Sequence, residues 1–597
     1  MARSASKTLL LAPLLLAACE LDFDQKPDDT AVEILDGDGD GWTQGQDCDD
    51  SDPDVNPDAA EWCNGIDDDC DGQTDEYDAV DVATWYPDDD DDGYGGGGST
   101  TSCDAPSGWV DRGDDCDDQD GDTYPGAPET CGDGKVNDCD GEGIPCLLSG
   151  DIDADDADAT LYGTADGDSA GLSVAGAGDV NADGYGDLWV GAPFHDVEVQ
   201  DAGAAFLVLG PVVGAIDLGL ADAVLVGKDT DGGLGSAVAS AGDVNGDGFD
   251  DLLCGAPYLD SGNTEAGAAF LVLGPAAGEI RLSSADASLS GTERYDWTGW
   301  SVAGAGDVNA DGYDDLLVGA PYSDKGGANA GAAFLVLGPV SGEFTLRDSD
   351  SQLVGEDEQD GAGRAVSSAG DVDGDGVDDV ILGAPARSQG GTNAGAAYLV
   401  LGPIGSDLDL SAADARLLGE AAHDGAGSAV AGAGDVDGDG LDDLLVGAGG
   451  NDVGGSDAGA AYLLSGTVRG LVSLADAQAR LTGEALFDRA GAAVAGAGDA
   501  DGDGLDDLLV GAPSHTAGGT DAGAAYLVLG PVQGDIALGS AGATLIGAQA
   551  SDHAGSAVSG AGDVNGDGID DLLAGAPDNN ERGAGRGAAY LFTIVDW

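Results

Sequence analysis

The chain repeats itself every 64 residues over about three quarters of its length. The stretch GAGDVNADGYDDLLVGAP, residues 304–321, recurs with its first aspartate at Asp179, Asp243, Asp307, Asp371, Asp435, Asp499 and Asp563, so that seven units fill residues 150–597. A period held this strictly signals an architecture of stacked or ring-closed units, each burying its apolar face on its neighbours. A chain of 597 residues is in any case too long for one ordinary core.

Each unit reads as four short strands separated by Gly, Pro, Asn and Asp. In the second unit these are SAVASAGDV (236–244), DDLLCGAP (250–257), GAAFLVLGP (267–275) and ADASLSGT (285–292). Three of the four are continuous apolar runs, which implies sheets covered on both faces. Ala and Gly dominate them, so neighbouring sheets can approach closely. Radially packed propeller blades meet both demands. The chain ends on a third strand, GAAYLFTIVDW, while ADATLYGT at 157–164 is a fourth strand with nothing before it. The early strand is therefore expected to complete the last blade, because a closed ring leaves no sheet edge open.

Between the first and second strands of every unit lies a loop with oxygen-bearing residues at positions 1, 3, 5, 7 and 9, the seventh through its main-chain carbonyl. That spacing, with Gly at position 6 for the sharp turn, suits the hard oxygen coordination of calcium. The predicted ligands are Asp179, Asn181, Asp183, Tyr185 and Asp187 in the first unit, and Asp243, Asn245, Asp247, Phe249 and Asp251 in the second. Unit three has Asp307, Asn309, Asp311, Tyr313 and Asp315; unit four has Asp371, Asp373, Asp375, Val377 and Asp379. Asp435, Asp437, Asp439, Leu441 and Asp443 follow, then Asp499, Asp501, Asp503, Leu505 and Asp507, and last Asp563, Asn565, Asp567, Ile569 and Asp571. These side chains carry a charge of −24, which seven calcium ions would reduce to −10. Without a cation, carboxylates roughly 4 Å apart repel by about 1 kcal/mol even in bulk water.

The DVNGDGxxDLLVGAP loop and the GAAYLVLG strand resemble the FG-GAP repeat of the integrin alpha-subunit head. The resemblance covers residues 150–597 and implies an all-β, seven-bladed β-propeller with the cation loops on one face and variable binding loops on the other. It departs from the family in two places. Ala170, Leu234, Thr298, Ala362, Ala426, Ala490 and Ala554 stand where the family has Phe, and Gly447, Ala448 and Gly449 replace GAP in the fifth unit.

Ahead of the repeats, residues 1–18 read as an export signal, since the apolar run from Leu9 to Ala18 is too short to cross a bilayer. Leu16, Ala17, Ala18 and Cys19 resemble a bacterial lipobox, which implies lipid on the Cys19 sulfur and anchorage in a bacterial cell envelope, outer membrane or surface. Residues 19–35 read as a flexible tether. Residues 36–149 form a disulfide-rich, calcium-binding stalk: Cys48, Cys63, Cys70, Cys103, Cys116, Cys131, Cys139 and Cys146 suggest four disulfides of undetermined pairing. Within it, Asp36, Asp38, Asp40 and Asp47 take positions 1, 3, 5 and 12 of a calcium loop, and Asp67, Asp69, Asp71 and Asp75 a shorter form. A later copy, with Asp88, Asp90 and Asp92, has Gly96 where a ligand is expected and reads as degraded. The DCDD segments near 48 and 116 resemble a bacterial cysteine-rich metal-binding family that carries a copper label. Copper favours imidazole, thiolate or thioether, whereas all four histidines lie in the repeats and Met1 is the sole methionine. Cys254 fills a slot held by Val in other units and is expected to be a buried apolar group.

A net charge of −98 opposes binding to nucleic acid or anionic lipid. GDSAG at 167–171 matches a nucleophile-elbow pattern at Ser169, but the equivalent residues Gly233, Trp297, Gly361, Gly425, Arg489 and His553 mark a variable loop. The expectation is a non-enzymatic surface lipoprotein whose propeller binds a protein or glycan partner, with the close-set aromatics Tyr295, Trp297 and Trp300 as candidate anchors. A hydrolase using propeller loops and a metal-sequestering envelope protein are the alternatives.

Overall fold

Every 64-residue unit supplies three successive antiparallel strands to one blade. In unit two the first, second and third strands are Ala237–Gly242, Asp251–Ala256 and Ala268–Val272, and the fourth is Ala287–Ser290. The computed structural model describes residues 36–594 apart from 91, 122, 128–136, 138, 140–147 and 198. The signal segment 1–18, Cys19 and the tether 19–35 lie outside the described residues, as do Cys131 and Cys146. The chain divides into two compact units, residues 1–130 with 135–142 and residues 143–597 with 131–134.

The larger unit holds seven five-stranded sheets. It is the all-β, seven-bladed propeller expected, with one strand more per blade. The additional strand is short and comes from the next unit: Gly278–Arg281 runs parallel to Ala223–Val226 of the preceding blade, with Ile280 opposite Leu225. Four residues with only Ile280 turned partly inward carry too little apolar periodicity to read as a strand. The consequence is mechanical, since each blade is sewn to its neighbour by backbone hydrogen bonds.

Ring closure uses the early strand as expected. Ala159–Tyr162 pairs antiparallel with the third strand of the last unit, with Ala588 opposite Tyr162 and Leu591 opposite Ala159. Two further parallel strands cross the same region: Gly150–Asp153 caps Ala543–Ile546, and Gly214–Asp217 caps Ala159–Tyr162.

The second and third strands are fully buried along their length, as their unbroken apolar runs require. Their small residues set the blade spacing. A Cβ on Gly255 would lie 2.0 Å from the carbonyl oxygen of Gly299, so only glycine lets the strand meet the neighbouring loop. Cys254 is buried in this core, and burial pushes its thiol pKa up to about 12. It is packing material, as its slot suggested.

In the smaller unit a three-stranded sheet joins Ala83–Pro87 to Thr100–Ser102 and Trp109–Val110. Three disulfides, Cys48–Cys70, Cys63–Cys103 and Cys116–Cys139, staple the described part, which has little apolar core of its own.

Candidate metal centres

The acidic loops join first to second strands, and the backbone fixes each carboxylate. In unit three Asp307 accepts from Asp311 N through Oδ1 (3.0 Å) and from Gly312 N through Oδ2 (2.8 Å). Asp311 Oδ1 accepts from Tyr313 N at 3.2 Å, which orients the seventh residue. Asp315 opens the second strand and is fully buried, its oxygens accepting from Val308 N (3.1 Å) and Gly338 N (2.8 Å). Burial raises its pKa to about 7; the two amides oppose the rise, and the charges of Asp311 and Asp307 add to it. The equivalent Asp443, Asp507 and Asp571 rise to about 7, and Asp187, Asp251 and Asp379 to about 6, with burial the largest cause throughout. Amide-pinned carboxylates whose ninth-position member is buried enough to resist ionisation make a candidate donor set for a hard divalent cation, which would supply the opposite charge the loop lacks. Two oxygens, Asp443 Oδ2 and Asp499 Oδ1, are buried with no hydrogen-bond partner.

The aspartate at position 8 has a role that sequence reasoning missed. It reaches across to the preceding unit: Asp314 Oδ2 accepts from Asp243 N at 2.7 Å, and Asp250, Asp378, Asp442 and Asp506 do the same for Asp179, Asp307, Asp371 and Asp435. Room for it comes from a glycine at the bulge of the first strand; a Cβ on Gly242, at φ 70°, would meet Asp314 Oδ2 at 2.2 Å. In the first unit the position is Gly186, which has no carboxylate and keeps the main-chain bond, N–H to Asp563 O, that Asp250, Asp314, Asp378 and Asp506 also make to the unit before them. The paired Asp-Asp of six units against the single aspartate of the first was the available signal.

In the smaller unit the oxygens of Asp36, Asp38 and Asp40 lie within 4.8 Å of one another. Asp38 Oδ2, Asp40 Oδ2 and Asp47 Oδ2 are all buried without a hydrogen-bond partner, an arrangement that costs free energy unless a cation joins them. Glu61 joins Asp67 and Asp69, and Glu76 joins Asp69 and Asp71, both within the same reach. Glu76 Oε2 is buried and unpartnered, whereas Asp75 Oδ1 accepts from Gly65 N at 2.9 Å. Glu61 and Glu76 thus enlarge the ligand set read from the sequence. The six described stalk cysteines are all in disulfides, so none of the six offers the thiolate copper would want.

Comparison with known proteins matches these features. The FG-GAP repeat matches residues 170–208, 234–272, 298–336, 362–400, 426–464, 490–528 and 554–592, one match per blade. The repeated region belongs to the FG-GAP repeat family. Residues 47–76 and 115–143 match the family described as "Putative metal-binding motif". A phosphatidylinositol-glycan-specific phospholipase D of Bos taurus is 39% identical over 165 residues, 26% of this chain and 19% of that protein. Integrin alpha-IIb of Mus musculus is 38% identical over 154 residues (25% and 14%), and integrin alpha pat-2 of Caenorhabditis briggsae 32% over 236 residues (37% and 18%). The aligned segments span less than a fifth of each relative.

The face of the FG-GAP ring opposite the acidic loops carries the loops between second and third strands and between units. A buried aspartate in the inter-unit loop bonds the residue following the second strand: Asp168 to His195 (3.1 Å), Asp424 to Asn451 (3.1 Å), Asp488 to His515 (3.2 Å) and Asp552 to Asn579 (3.1 Å). In the fourth unit the partner is Arg387, bonded to Asp360. Burial disfavours the Asp168 charge, but bonds from His195, Thr164 and Ala165 N outweigh it and hold the pKa below the usual range. His195 and His515 therefore occupy a slot that Asn451, Asn579 and Arg387 fill elsewhere. His195 Nδ1 meets Asp168 and Thr164 rather than Ser169. Around unit three the aromatics gather. Trp297 stacks on Trp300 at 5.4 Å and meets Tyr258 and Tyr322 edge-on, while the Arg364 guanidinium lies 4.0 Å above Trp300. Tyr295 stands exposed beside this cluster. Next to it opens a cavity of about 590 Å³, lined by Phe194 and Tyr258 and by the acidic Asp201, Asp229, Asp231, Asp260 and Glu265. Among the described residues no helix is long and apolar enough to cross a membrane.

Proposed function

We propose that this protein is a surface interaction module: a calcium-stabilised propeller that binds a protein or glycan partner, carried on a calcium-binding stalk and tethered by lipid on Cys19. The observation that carries the reading is the aromatic and acidic surface around Trp297 and Trp300. A ring of seven nearly identical units places there one cluster that the other units lack, on a scaffold whose opposite face is given over to acidic loops. Half-buried aromatics with an arginine stacked on one of them, beside an acidic cavity, make the kind of anchor that partner recognition uses. Relatives named integrin support the binding reading. The phospholipase likeness covers 26% of this chain, and His195 spends its Nδ1 on Asp168 and Thr164 rather than on Ser169.

Calcium is the cation that suits these oxygen donors and the glycine at loop position 6. In a binding test the full-length protein is applied to glycan arrays and to intact cells, with calcium or with chelator. Retention that falls at least about tenfold in Trp297→Ala and Trp300→Ala, with the melting temperature unchanged, is the expected result; a tenfold loss corresponds to about 1.4 kcal/mol. Retention indifferent to both substitutions would remove this surface from the binding site.

A further inference from the structure

The segment that reads as a degraded calcium loop is completed from elsewhere in the chain. The described residues of 36–50 and 88–118 share four bonds from a main-chain amide to a carboxylate. Asp40 N donates to Asp38 Oδ1 at 3.3 Å and Asp92 N to Asp90 Oδ1 at 3.3 Å; Trp42 N donates to Asp40 Oδ1 at 2.8 Å and Tyr94 N to Asp92 Oδ1 at 2.7 Å. Gly37 N meets Asp50 Oδ1 at 2.9 Å, and Asp89 N meets Asp118 Oδ1 at 3.0 Å. Asp49 N donates to Asp47 Oδ1, and Asp117 N to Asp115 Oδ1, both at 2.9 Å. A disulfide with a Cα–Cα distance of 5.6 Å follows in each, Cys48–Cys70 and Cys116–Cys139. Asp115 is thus the counterpart of Asp47.

Twenty residues separate Tyr94 from Asp115 where four separate Trp42 from Asp47, an insertion that the fold closes. They contain Thr100–Ser102 and Trp109–Val110, which pair with Ala83–Pro87 immediately ahead of Asp88. Gly95 N donates to Arg112 O, and Asp115 N to Gly95 O, so the ends of the insertion meet. The oxygens of Asp88, Asp90 and Asp92 lie within 4.8 Å of one another. An independent sign of a ligand is that Asp90 Oδ2, Asp92 Oδ2 and Asp115 Oδ2 are each buried with no hydrogen-bond partner, matching Asp38, Asp40 and Asp47 atom for atom. Three buried carboxylate oxygens with no protein donor have one ready complement, a hard cation.

We propose that Asp88, Asp90, Asp92 and Asp115 form a further calcium site, one loop interrupted by two short strands that each pair with Ala83–Pro87. The choice of ion rests on the calcium reading above; the existence of the site does not. Hydrogen exchange on the full chain, with calcium or with chelator, tests it. Calcium is expected to slow exchange at least tenfold in peptides covering 86–96 and 113–118 together. Asp115→Asn abolishes that protection at 86–96, and Asp90→Asn abolishes it at 113–118, while residues 36–47 keep theirs and Cys116–Cys139 stays closed to alkylation. Protection at 86–96 that survives Asp115→Asn, or its absence there in the wild type while 36–47 responds, overturns the split site alone. Loss of response in every acidic loop overturns the calcium reading as well, and equal protection by magnesium at the same concentration overturns only the choice of ion.

Discussion

Asp296 occupies the slot where the other inter-unit aspartates find a histidine, asparagine or arginine, but in unit three the facing residue is Ser323, and the two are not bonded. Ser323 Oγ and Thr298 Oγ1 are buried without partners nearby. Burial, with the charges of Glu293 and Asp324, raises the Asp296 pKa from 3.8 to about 6, and Lys325 opposes the rise. A folded-state pKa above the unfolded one means that the folded protein holds an extra proton between about pH 4 and 6, so stability falls as pH rises through that window. The penalty is complete above pH 6 and absent below pH 4. Asp296→Asn is therefore expected to stabilise the protein at pH 8 by about 1–2 kcal/mol and to do little at pH 4. Equal denaturation midpoints for mutant and wild type at pH 8 would show that the carboxylate is solvated after all.

At the level of elements, closure depends on strands far from the blades they complete. A chain beginning at residue 163 loses Gly150–Asp153 and Ala159–Tyr162, and so opens the edges of Ala543–Ile546 and Ala588–Phe592. It also uncovers the fully buried side chains around Leu161. The loss is expected to exceed about 3 kcal/mol and to send the protein into oligomers, since open edges recruit other strands. Light scattering after size exclusion distinguishes this from a chain beginning at 148, which keeps both strands. A monomeric, equally stable short form would mean that the inter-blade strands carry the ring by themselves. The fourth strand at 157–164 was legible because it repeats a pattern seen six more times. The parallel fifth strands were not, because their pairing partners lie one unit away and their own sequences hold one apolar residue facing inward.

For the whole molecule, a net charge of −98 is destabilising through self-repulsion, and the predicted ligands of the seven loops crowd −24 of negative charge into short stretches. The six position-8 aspartates add charge at the same junctions. With sites of about 0.1–1 mM affinity and calcium at about 2 mM, linkage yields roughly 0.7–1.8 kcal/mol per loop, or about 5–12 kcal/mol for seven. Spread over a domain of this size that is a melting shift of about 5–12 °C. Chelation should lower the thermal midpoint by this amount in low salt, and added monovalent salt should recover part of it by screening. Coincident melting curves with and without chelator would contradict the assignment of metal to the loops.

The period, the apolar runs and the loop spacing were sufficient by themselves to specify a seven-bladed ring with acidic loops on its strand connections, because each is a local pattern multiplied seven times. Tertiary structure alone decided what joins the parts. It showed that Asp314 and its equivalents clasp the preceding unit, that Glu61 and Glu76 join the stalk carboxylates, that Asp115 is the counterpart of Asp47, and that Trp297 and Trp300 meet Tyr258 and Tyr322. The reason is the same in each case. A backbone amide, a shielded oxygen or a ring face finds its partner across a distance in sequence that only the closed chain brings to contact.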